Sequence, residues 1–285
     1  MDRLYTKAMG KINLTLDVIN KRADGYHNLK MVMQTVELHD VLELKKLENG
    51  ITVLCENSLV PTNDSNIAFK AANALCEYTD RKLNVAIHIE KNIPVSAGMA
   101  GGSSDAAAVL KGMNELFGLN LKKDELLKIG KTIGADVPYC LCGGTMLAEG
   151  IGDILTPLDP LNGVNIVLVK PRIEVSTAWV FKNFKESDVL ERPDTDALIN
   201  ALKKNDLRTI GSKLSNVLES VTVRANPVID EIKSKLLDCG AIGSLMSGSG
   251  PTVFGIFEDY SSAQKAFNKM YDMIQLDCYL TKTIC

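Results

Sequence analysis

Alternating apolar and polar positions mark the first third of the chain. Apolar residues occupy every second position over residues 12–18 and again over 83–89, which is the period of a strand with one buried face. Apolar-rich stretches at 32–47 and 51–55 also predict strands, and a helical spacing over about residues 67–78 predicts a helix. The first third is therefore predicted to be mostly sheet.

After residue 93 the apolar residues recur at helical intervals. A loop of small residues leads directly into apolar positions at helical intervals from Ala106 to Phe117. A second helix is predicted over residues 124–133 and should end before Gly134 and Pro138, because both residues disfavour helical continuation. A strand is predicted to follow at 145–149.

The last part of the chain shows a different order of elements. Its patterns predict a strand at 164–169, helices up to about residue 238, a strand at 252–257, a helix, and a last strand at 278–284. Ser261, with Gln264 three residues on, is the predicted cap of the last helix. Strand, helices, strand, helix and strand in this order favour an α+β sandwich of ferredoxin-like type.

The 285 residues are enough for two domains of ordinary size, each with its own core. Because the pattern changes after Pro157, we predict an N-terminal domain over 1–157 and a C-terminal domain over 158–285. Residues 185–196 form the only plausible exposed linker in the sequence.

Composition and charge exclude several classes of protein. Hydrophobic residues make up 46% and charged residues 24% of the chain, as in an ordinary globular protein. A net charge of −3 with mixed signs argues against a nucleic-acid partner. The chain contains neither an apolar run of membrane-spanning length nor the apolar core of a secretory signal, so we expect no membrane partner and a cytoplasmic location.

Seven cysteines are scattered without a Cys-x-x-Cys pair or a nearby histidine at zinc-ligand spacing. They are interpreted as thiols with no metal. Cys140 and Cys142 are expected on one face of a strand, as small buried apolar residues.

The loop between Pro94 and Ser104 is the strongest chemical signal. It comprises Pro94, Val95, Ser96, Ala97, Gly98, Met99, Ala100, Gly101, Gly102, Ser103 and Ser104. Backbone N–H groups at the start of a helix bind anions, and glycines let a phosphate approach them closely. The loop lacks the Gly-Lys-Ser/Thr of a Walker A motif and the G-x-G-x-x-G spacing of a dinucleotide fold. A phosphate site and an ordinary turn before a helix both remain open on composition alone.

The loop resembles the ATP-binding motif of the GHMP kinases, a superfamily named for galactokinase, homoserine kinase, mevalonate kinase and phosphomevalonate kinase. Further segments resemble that superfamily in the same order along the whole chain: Lys11-Ile-Asn-Leu, Arg22-Ala-Asp-Gly-Tyr-His27, Gly134-Ala-Asp-Val-Pro138 and Gly248-Ser-Gly-Pro-Thr252. The resemblance implies an α+β, two-domain GHMP kinase fold, with an N-terminal domain like domain 2 of ribosomal protein S5 and a C-terminal ferredoxin-like domain.

The segment from Arg22 to His27 narrows the resemblance to members that act in the non-mevalonate pathway of isoprenoid synthesis. It implies ATP-dependent phosphorylation of the 2-hydroxyl of 4-diphosphocytidyl-2-C-methyl-D-erythritol (CDP-methylerythritol), with ATP bound by the loop in the N-terminal domain. Mg²⁺ is expected with the ATP, although no side chain is assigned as a metal ligand. The enzyme is expected to be a monomer or a homodimer.

The resemblance assigns Asp136 as the catalytic carboxylate and Lys11 as its partner. A carboxylate can accept the proton of the attacking hydroxyl, and an ammonium group nearby keeps it ionised and stabilises the transferred charge. Whether Asp136 is a true base or an orienting group stays open. Taken alone, Lys11 reads as a solvated lysine at a strand edge and Asp136 as a turn residue.

Substrate-binding roles are implied for Asn13, Tyr26, His27, Thr177 and Phe181. Tyr26 would stack on the cytosine, His27 would hydrogen-bond its polar edge, and Phe181 would cover its second face. Without the resemblance, Tyr26 reads as a packed turn residue and Phe181 as part of the core.

Three further points stay open at the level of sequence. Trp179 either shapes the substrate pocket or points into the core. The turn at Gly248 and Gly250 lies either beside the phosphate or simply before a strand.

The third open point is the function itself, for which there are two rivals. The first is another GHMP kinase, such as a homoserine or mevalonate kinase, and the second is a catalytically inactive binding protein. Tyr26 with His27 argues against the first, and Lys11 with Asp136 argues against the second.

Overall fold

The computed structural model describes residues 1–273 and 275–285. Within them the chain forms two compact units, each assembled from separate segments. Unit 1 comprises Met1–Gly10, Leu38–Val95 and Ala100–Gly143, and unit 2 comprises Lys11–Glu37, Ser96–Met99 and Gly144–Cys285. The expected boundary after residue 157 stays a prediction, because compact units and family domains need not have the same limits.

The strands are β1 (Arg3–Lys21), β2 (His27–Lys46), β3 (Ile51–Cys55), β4 (Val85–Glu90), β5 (Thr145–Gly150), β6 (Ile154–Pro157), β7 (Asn165–Pro171), β8 (Ser215–Asn216), β9 (Gly243–Met246), β10 (Val253–Phe257) and β11 (Leu276–Lys282). The helices are α1 (Ile67–Thr79), α2 (Gly101–Leu116), α3 (Lys123–Ile133), α4 (Val137–Cys142), α5 (Thr177–Asn183), α6 (Thr195–Lys203), α7 (Leu207–Ser212), α8 (Glu219–Ala225), α9 (Val228–Asp238) and α10 (Tyr260–Tyr271).

Unit 1 packs helices against one part of a sheet. β3 runs parallel to β4, and β4 pairs antiparallel with residues 41–46 of β2. Leu44, Leu75, Ile87 and Leu110 are completely buried and bring β2, α1, β4 and α2 into one apolar core. Burial of such side chains stabilises the unit by roughly 1.5–3 kcal/mol each. This core fixes the start of α2, where the small-residue loop ends.

The expectation of a strand at Cys140 and Cys142 is wrong, because both residues lie in helix α4. Pro138 stands in the first turn of that helix, where its missing N–H would have no partner in the helix in any case. Helix α4 ends at Gly143, whose φ of +70° favours glycine. Within the described residues, none of the cysteines is in a disulfide.

The strand predicted over residues 12–18 is buried on both faces and not on one. Asn13, Thr15 and Asp17 are 1%, 0% and 7% exposed, as little as the apolar residues between them. Polar partners account for this burial: Thr15 Oγ1 accepts a hydrogen bond from the backbone N–H of Val32 at 3.1 Å, and Asp17 pairs with Arg192 at 2.8 Å. The polar face of β1 is therefore an interior surface.

Unit 2 contains the predicted ferredoxin-like sheet. Its four strands lie in the order β11-β7-β10-β9, and each neighbouring pair is antiparallel. Elsewhere in the unit, β5 pairs with residues 29–34 of β2, and β8 runs parallel to β1 at Thr15 and Leu16. β9 was not predicted from the sequence, because its four residues include Gly243 and Ser244, which carry little strand propensity.

Two local expectations in unit 2 need correction. Helix α10 is capped by Asp259, whose side chain accepts from the N–H of Ser262 at 2.9 Å, and not by Ser261. The segment 185–196 is not a plain linker, because Arg192 is tied to Asp17 and Thr195 is only 3% exposed.

Candidate active site

Lys11 is a buried lysine in unit 2 with two hydrogen-bond acceptors. Its side chain lies on β1, and the residue is 5% exposed. Nζ donates to Asn13 Oδ1 at 2.8 Å and to the carbonyl oxygen of Gly98 at 2.8 Å. A buried ammonium group is costly unless it is hydrogen-bonded or paired. The reading of Lys11 as a solvated strand-edge lysine is therefore wrong.

Asn13 lies on the same face of β1 as Lys11, as the alternation of strand side chains requires. Its amide oxygen accepts from Lys11, and Nδ2 donates to Met31 Sδ at 3.3 Å. Both ends of the amide are thus engaged, which fixes the direction in which Lys11 points.

The turn that includes Gly248 and Gly250 contacts the loop. Ser247 Oγ donates to the carbonyl oxygen of Gly98 at 3.0 Å. A Cβ at Gly248 would lie 3.3 Å from Lys11 Nζ and 3.1 Å from Gly98 O, closer than most real contacts. The turn therefore lies against both Lys11 and Gly98, and its place beside a phosphate stays a prediction.

Asn216 is a buried residue that sequence reasoning missed. Its Nδ2 donates to the carbonyl oxygens of Met246 and Gly248 at 2.9 and 2.8 Å, and its Oδ1 accepts from Leu218 N–H at 3.0 Å. Two of these hydrogen bonds hold the turn in place, and the third fixes the side chain of Asn216 to its own segment. The only sequence signal is a polar residue amid helical stretches, which is too weak to single out a site.

Three glycines of the loop lie close to other parts of the protein. The sequence alone suggests only that they let a phosphate approach the backbone. A Cβ at Gly98 would lie 2.1 Å from Ser247 O, one at Gly101 would lie 3.0 Å from Lys91 Nζ, and one at Gly102 would lie 3.2 Å from Ile67 Cγ2. Each glycine thus permits a close approach between parts of the protein, in addition to any role beside a phosphate.

The loop backbone is strained. Ser96, Gly98 and Ala100 have φ values of +52°, +72° and +55°, and non-glycine residues in this region cost on the order of 1–3 kcal/mol each. Such strain persists where the surrounding structure fixes it, and it is concentrated at functional sites. Ala100 precedes α2 without a side-chain cap, so the first N–H groups of the helix are not satisfied by a cap at that position.

The two serines at the end of the loop differ. Ser104 is 2% exposed, and its Oγ donates to the carbonyl oxygen of Met9. Ser103 is only partly buried. Of the two hydroxyls, that of Ser103 is therefore the better placed to meet a ligand, whereas Ser104 anchors α2 to β1 within unit 1.

Asp136 is the N-cap residue of α4 in unit 1 and is partly exposed. Its side chain does not cap the helix, although aspartate commonly does so. The Asp136 carboxylate therefore does not perform helix capping, the most common structural role of an aspartate at this position. Lys11 belongs to unit 2, and the pairing of the two residues stays a prediction.

Tyr26, His27 and Phe181 all lie in unit 2, and the clamp on the cytosine stays a prediction. His27 and Phe181 stack with ring centroids 5.2 Å apart and an interplanar angle of 26°, whereas Tyr26 is 61% exposed. The ring that faces Phe181 is thus the imidazole. Burial, together with the nearby Lys21, lowers the pKa of His27, which favours a neutral imidazole that can both donate and accept.

Thr177 and Trp179 lie on α5. Thr177 Oγ1 is 2.8 Å from Ser249 Oγ, so this helix is joined to the turn beside Lys11. Trp179 is 45% exposed and does not point into the core. It lines a cavity of about 320 Å³ together with Asn183, Lys185 and residues of α8.

No cluster of three or more His, Cys, Asp and Glu side chains that could hold a metal ion occurs in residues 1–273 and 275–285. Mg²⁺ bound to a nucleotide takes most of its ligands from phosphate oxygens and water. The hydroxyl and backbone groups of the loop are compatible with an ion bound in this way. Over the same residues, none of the helices is long and apolar enough to cross a membrane.

Comparison with known families defines the class of this protein. A model of the N-terminal domain of GHMP kinases matches residues 66–144, and a model of their C-terminal domain matches residues 198–274. A crystal structure of homoserine kinase from Cytophaga hutchinsonii has a TM-score of 0.78 at 20% identity, with 99% of this chain and 95% of that chain covered. The chain has the two-domain GHMP kinase fold, and the expected fold is confirmed.

Relatives with higher sequence identity to this chain identify its family within the GHMP kinases. The 4-diphosphocytidyl-2-C-methyl-D-erythritol kinase of Acetivibrio thermocellus is 51% identical over 284 residues, with 100% of both chains covered. The protein of the same name from a type B strain of Clostridium botulinum is 50% identical over 278 residues, covering 98% of this chain and 99% of the relative. A crystal structure of 4-(cytidine 5'-diphospho)-2C-methyl-D-erythritol kinase has a TM-score of 0.85 at 30% identity, covering 99% and 100% of the two chains. The chain belongs to the 4-diphosphocytidyl-2-C-methyl-D-erythritol kinase family.

Proposed function

We propose that this chain transfers the γ-phosphate of ATP to the 2-hydroxyl of CDP-methylerythritol, a step of non-mevalonate isoprenoid synthesis in the cytoplasm. The observation that carries the proposal is the 51% identity, over the full length of both chains, with a kinase named for that substrate. Each residue of the proposed site comes from one chain, so a monomer suffices and a homodimer is compatible.

The first proposed role is that of the loop and Lys11. The loop would hold the phosphates of ATP at the start of α2, where N–H groups and the helix dipole favour an anion. Lys11 donates to Gly98 O and Asn13 Oδ1, so its ammonium group is held in a defined direction. An ammonium group held in this way can stabilise charge on the transferring phosphoryl group with little reorganisation.

Asp136 is the proposed catalytic carboxylate. Its freedom from helix capping leaves it available to accept a hydrogen bond from the attacking hydroxyl. Phosphoryl transfer through a loose transition state needs little help from a base. Asp136 therefore acts either by orienting the hydroxyl or by accepting its proton, and in both cases the ionised form is required.

The cytidine group would be recognised at Tyr26, His27 and Phe181. The exposed ring of Tyr26 offers a face for the cytosine. The stacked pair of His27 and Phe181 fixes the imidazole, whose nitrogen atoms can bond the polar edge of the base. Thr177 and Asn13 complete the proposed set of substrate contacts.

Mg²⁺ is proposed to enter as its complex with ATP. It would neutralise charge on the phosphates, and the loop would bind the complex mainly through backbone groups. Activity should therefore be lost when the divalent cation is chelated and should return when Mg²⁺ is added back.

A coupled assay of ADP formation with three acceptors tests the function. CDP-methylerythritol should support ADP formation, whereas mevalonate and homoserine should not, because neither carries a base for Tyr26 and His27. Phosphorus NMR of the product should place a new phosphate monoester on the 2-hydroxyl. Turnover of mevalonate or homoserine alone would overturn the substrate assignment, and ATP binding without turnover of any acceptor would favour a binding protein.

A further inference from the structure

Three ionisable residues form a buried cluster in unit 1, next to the phosphate loop. Lys91 Nζ lies 2.5 Å from Asp40 Oδ2 and 2.7 Å from Asp105 Oδ2. The side chains of Lys91, Asp40 and Asp105 are 5%, 0% and 4% exposed. Charged groups are rarely buried this deeply, because removing them from water is costly even when they are paired. No role in the proposed function has been assigned to these residues.

The cluster joins the chain before the loop to the chain after it. Asp40 Oδ1 accepts hydrogen bonds from the backbone N–H groups of Asn92 and Ile93 at 2.6 and 2.7 Å, and Ile93 directly precedes the loop. Asp105 lies near the start of α2, the helix that follows the loop. Lys91 donates to both carboxyl groups, so a single ammonium group links the two flanking segments.

The first residue of α2 packs directly on this cluster. A Cβ at Gly101 would lie 3.0 Å from Lys91 Nζ and 3.1 Å from Ile93 Cγ2. The helix start, from which N–H groups would meet an anion, thus lies against the lysine and the residue that precedes the loop. Because protein interiors are closely packed, a change in the cluster is expected to shift these N–H groups.

We propose that Asp105 is a positioning residue for the phosphate loop, which acts through Lys91 and Asp40 to hold the segments that flank the loop and so determines the affinity for ATP. The proposal rests on the proposed function only in taking this loop as the ATP site. The side chain of Asp105 is only 4% exposed, so its effect on ATP is expected to pass through Lys91, Asp40 and the backbone of α2.

The protonation state of Asp105 makes the cluster sensitive to pH. Its Oδ1 is buried without a hydrogen-bond partner. Burial raises the pKa of Asp105 to about 8, with Lys91 opposing the shift and Asp40 adding to it. The carboxyl group is therefore mostly protonated at neutral pH. Ionisation above pH 8 places a negative charge at the start of the helix that would bind the phosphates, and this charge should weaken ATP binding.

Asp105→Ala and Asp105→Asn test the positioning role. With CDP-methylerythritol saturating, Asp105→Ala should raise KM for ATP about tenfold at pH 7, while kcat changes less than about twofold. Asp105→Asn should restore KM for ATP to within about twofold of wild type, because the amide is a neutral match for the protonated carboxyl. An unchanged KM in Asp105→Ala, or a failure of the Asn variant to restore it, would overturn the proposal.

The pH profile separates positioning from a general loss of stability. KM for ATP should rise between pH 7 and 9 in the wild type more than in Asp105→Asn, because only the wild type has a carboxyl that ionises. Parallel profiles would contradict the electrostatic part of the proposal. If Asp105→Ala does not fold, the pH profiles of the wild type and the Asn variant still test whether a charge at Asp105 acts on the loop, and parallel profiles then count against the proposal.

The proposed function can fail independently of this inference. Calorimetric titration of the same variants with MgATP measures affinity without any acceptor substrate, and the same ratios are expected for Kd. Asp124→Asn, an exposed residue in the first turn of α3, is the matched control and should leave both KM and Kd unchanged. Wild-type protein that binds MgATP but turns over no acceptor would refute the function alone.

Discussion

At the scale of single residues, Asp136 is the side chain on which the proposed reaction depends most directly. Asp136→Asn keeps the size of the side chain and its place at the start of α4, but it removes the negative charge and the ability to accept a proton. We expect kcat to fall by roughly 10²–10⁴, the usual contribution of a positioned acid or base. Kd for MgATP should change little.

The control for Asp136→Asn is Asp124→Asn, which removes a carboxylate from an exposed position on α3 in the same unit. Its kcat should equal that of the wild type. Steady-state kinetics and calorimetric titration with MgATP provide the two measurements. Turnover of Asp136→Asn within a few-fold of wild type would remove this carboxylate from the mechanism.

Tyr26 is the exposed aromatic residue of the proposed cytidine site. Stacking of an aromatic ring on a base contributes about 1–3 kcal/mol, which corresponds to roughly 5- to 150-fold in affinity. Tyr26→Ala should therefore raise KM for CDP-methylerythritol within this range and leave KM for ATP unchanged. Tyr260→Ala, which removes a similarly exposed ring from α10, should change neither value. An unchanged KM for CDP-methylerythritol in Tyr26→Ala would exclude stacking.

Lys11 shows how far single residues can be interpreted from the sequence. The motif identified it as a candidate, but its chemistry depends on Gly98, which is 87 residues away along the chain. No local pattern indicates that contact. Asn216 was missed for the same reason, since its importance comes from carbonyl groups 30 and 32 residues further on. Long-range hydrogen bonds of this kind leave no periodic signal.

At the scale of elements, the loop and the turn that follows β9 depend on one glycine. Gly98 has a φ of +72°, and a Cβ there would lie 2.1 Å from the backbone oxygen of Ser247, so Gly98→Ala forces backbone to move. We expect a lower midpoint of thermal unfolding and at least a tenfold rise in KM for ATP, since overpacking and a strained φ add their costs.

Gly118→Ala is the matched control for Gly98→Ala. Gly118 also has a positive φ, of +59°, but a Cβ there would meet nothing within 4 Å. This variant should show only the cost of the left-handed conformation, about 1–2 kcal/mol, with KM for ATP unchanged. Equal effects of the two substitutions on KM would show that the contact with Ser247 is not what matters.

Elements with a strong period were predicted from the sequence, and short or interrupted ones were not. The stretches that form β2, α1 and α3 are 20, 13 and 11 residues long, long enough for the spacing of their apolar residues to indicate the type of element. α4 was missed because Pro138 was interpreted as a helix breaker, although a proline in the first turn is compatible with a helix. β9 has only four residues, too few for a period to appear.

At the scale of the whole molecule, the order of motifs along the chain was more informative than any one motif. The loop alone left a phosphate site and an ordinary turn both open. Together with the segments at Lys11, Arg22–His27, Gly134–Pro138 and Gly248–Thr252, it identified a family that the 51% identity over 284 residues supports. The arrangement of His27 against Phe181, by contrast, depends on packing and was not predictable.

The buried carboxyl of Asp105 should also affect the stability of the whole protein. The unfolded chain releases this proton near pH 4, whereas the folded protein keeps it up to about pH 8. Between these values the unfolded state binds fewer protons than the folded state, so the free energy of unfolding falls as pH rises. Below pH 4 this penalty is absent, and above pH 8 it is constant.

Asp105→Asn removes this titration and keeps the shape of the side chain. Relative to the variant, the wild type should lose stability progressively from pH 4 to pH 8, by an amount on the order of a few kcal/mol. Urea unfolding of both proteins at several pH values measures the difference, and titrations common to both proteins cancel in it. A constant difference across this range would mean that Asp105 is already ionised in the folded protein, and that Lys91 outweighs the burial of its carboxyl.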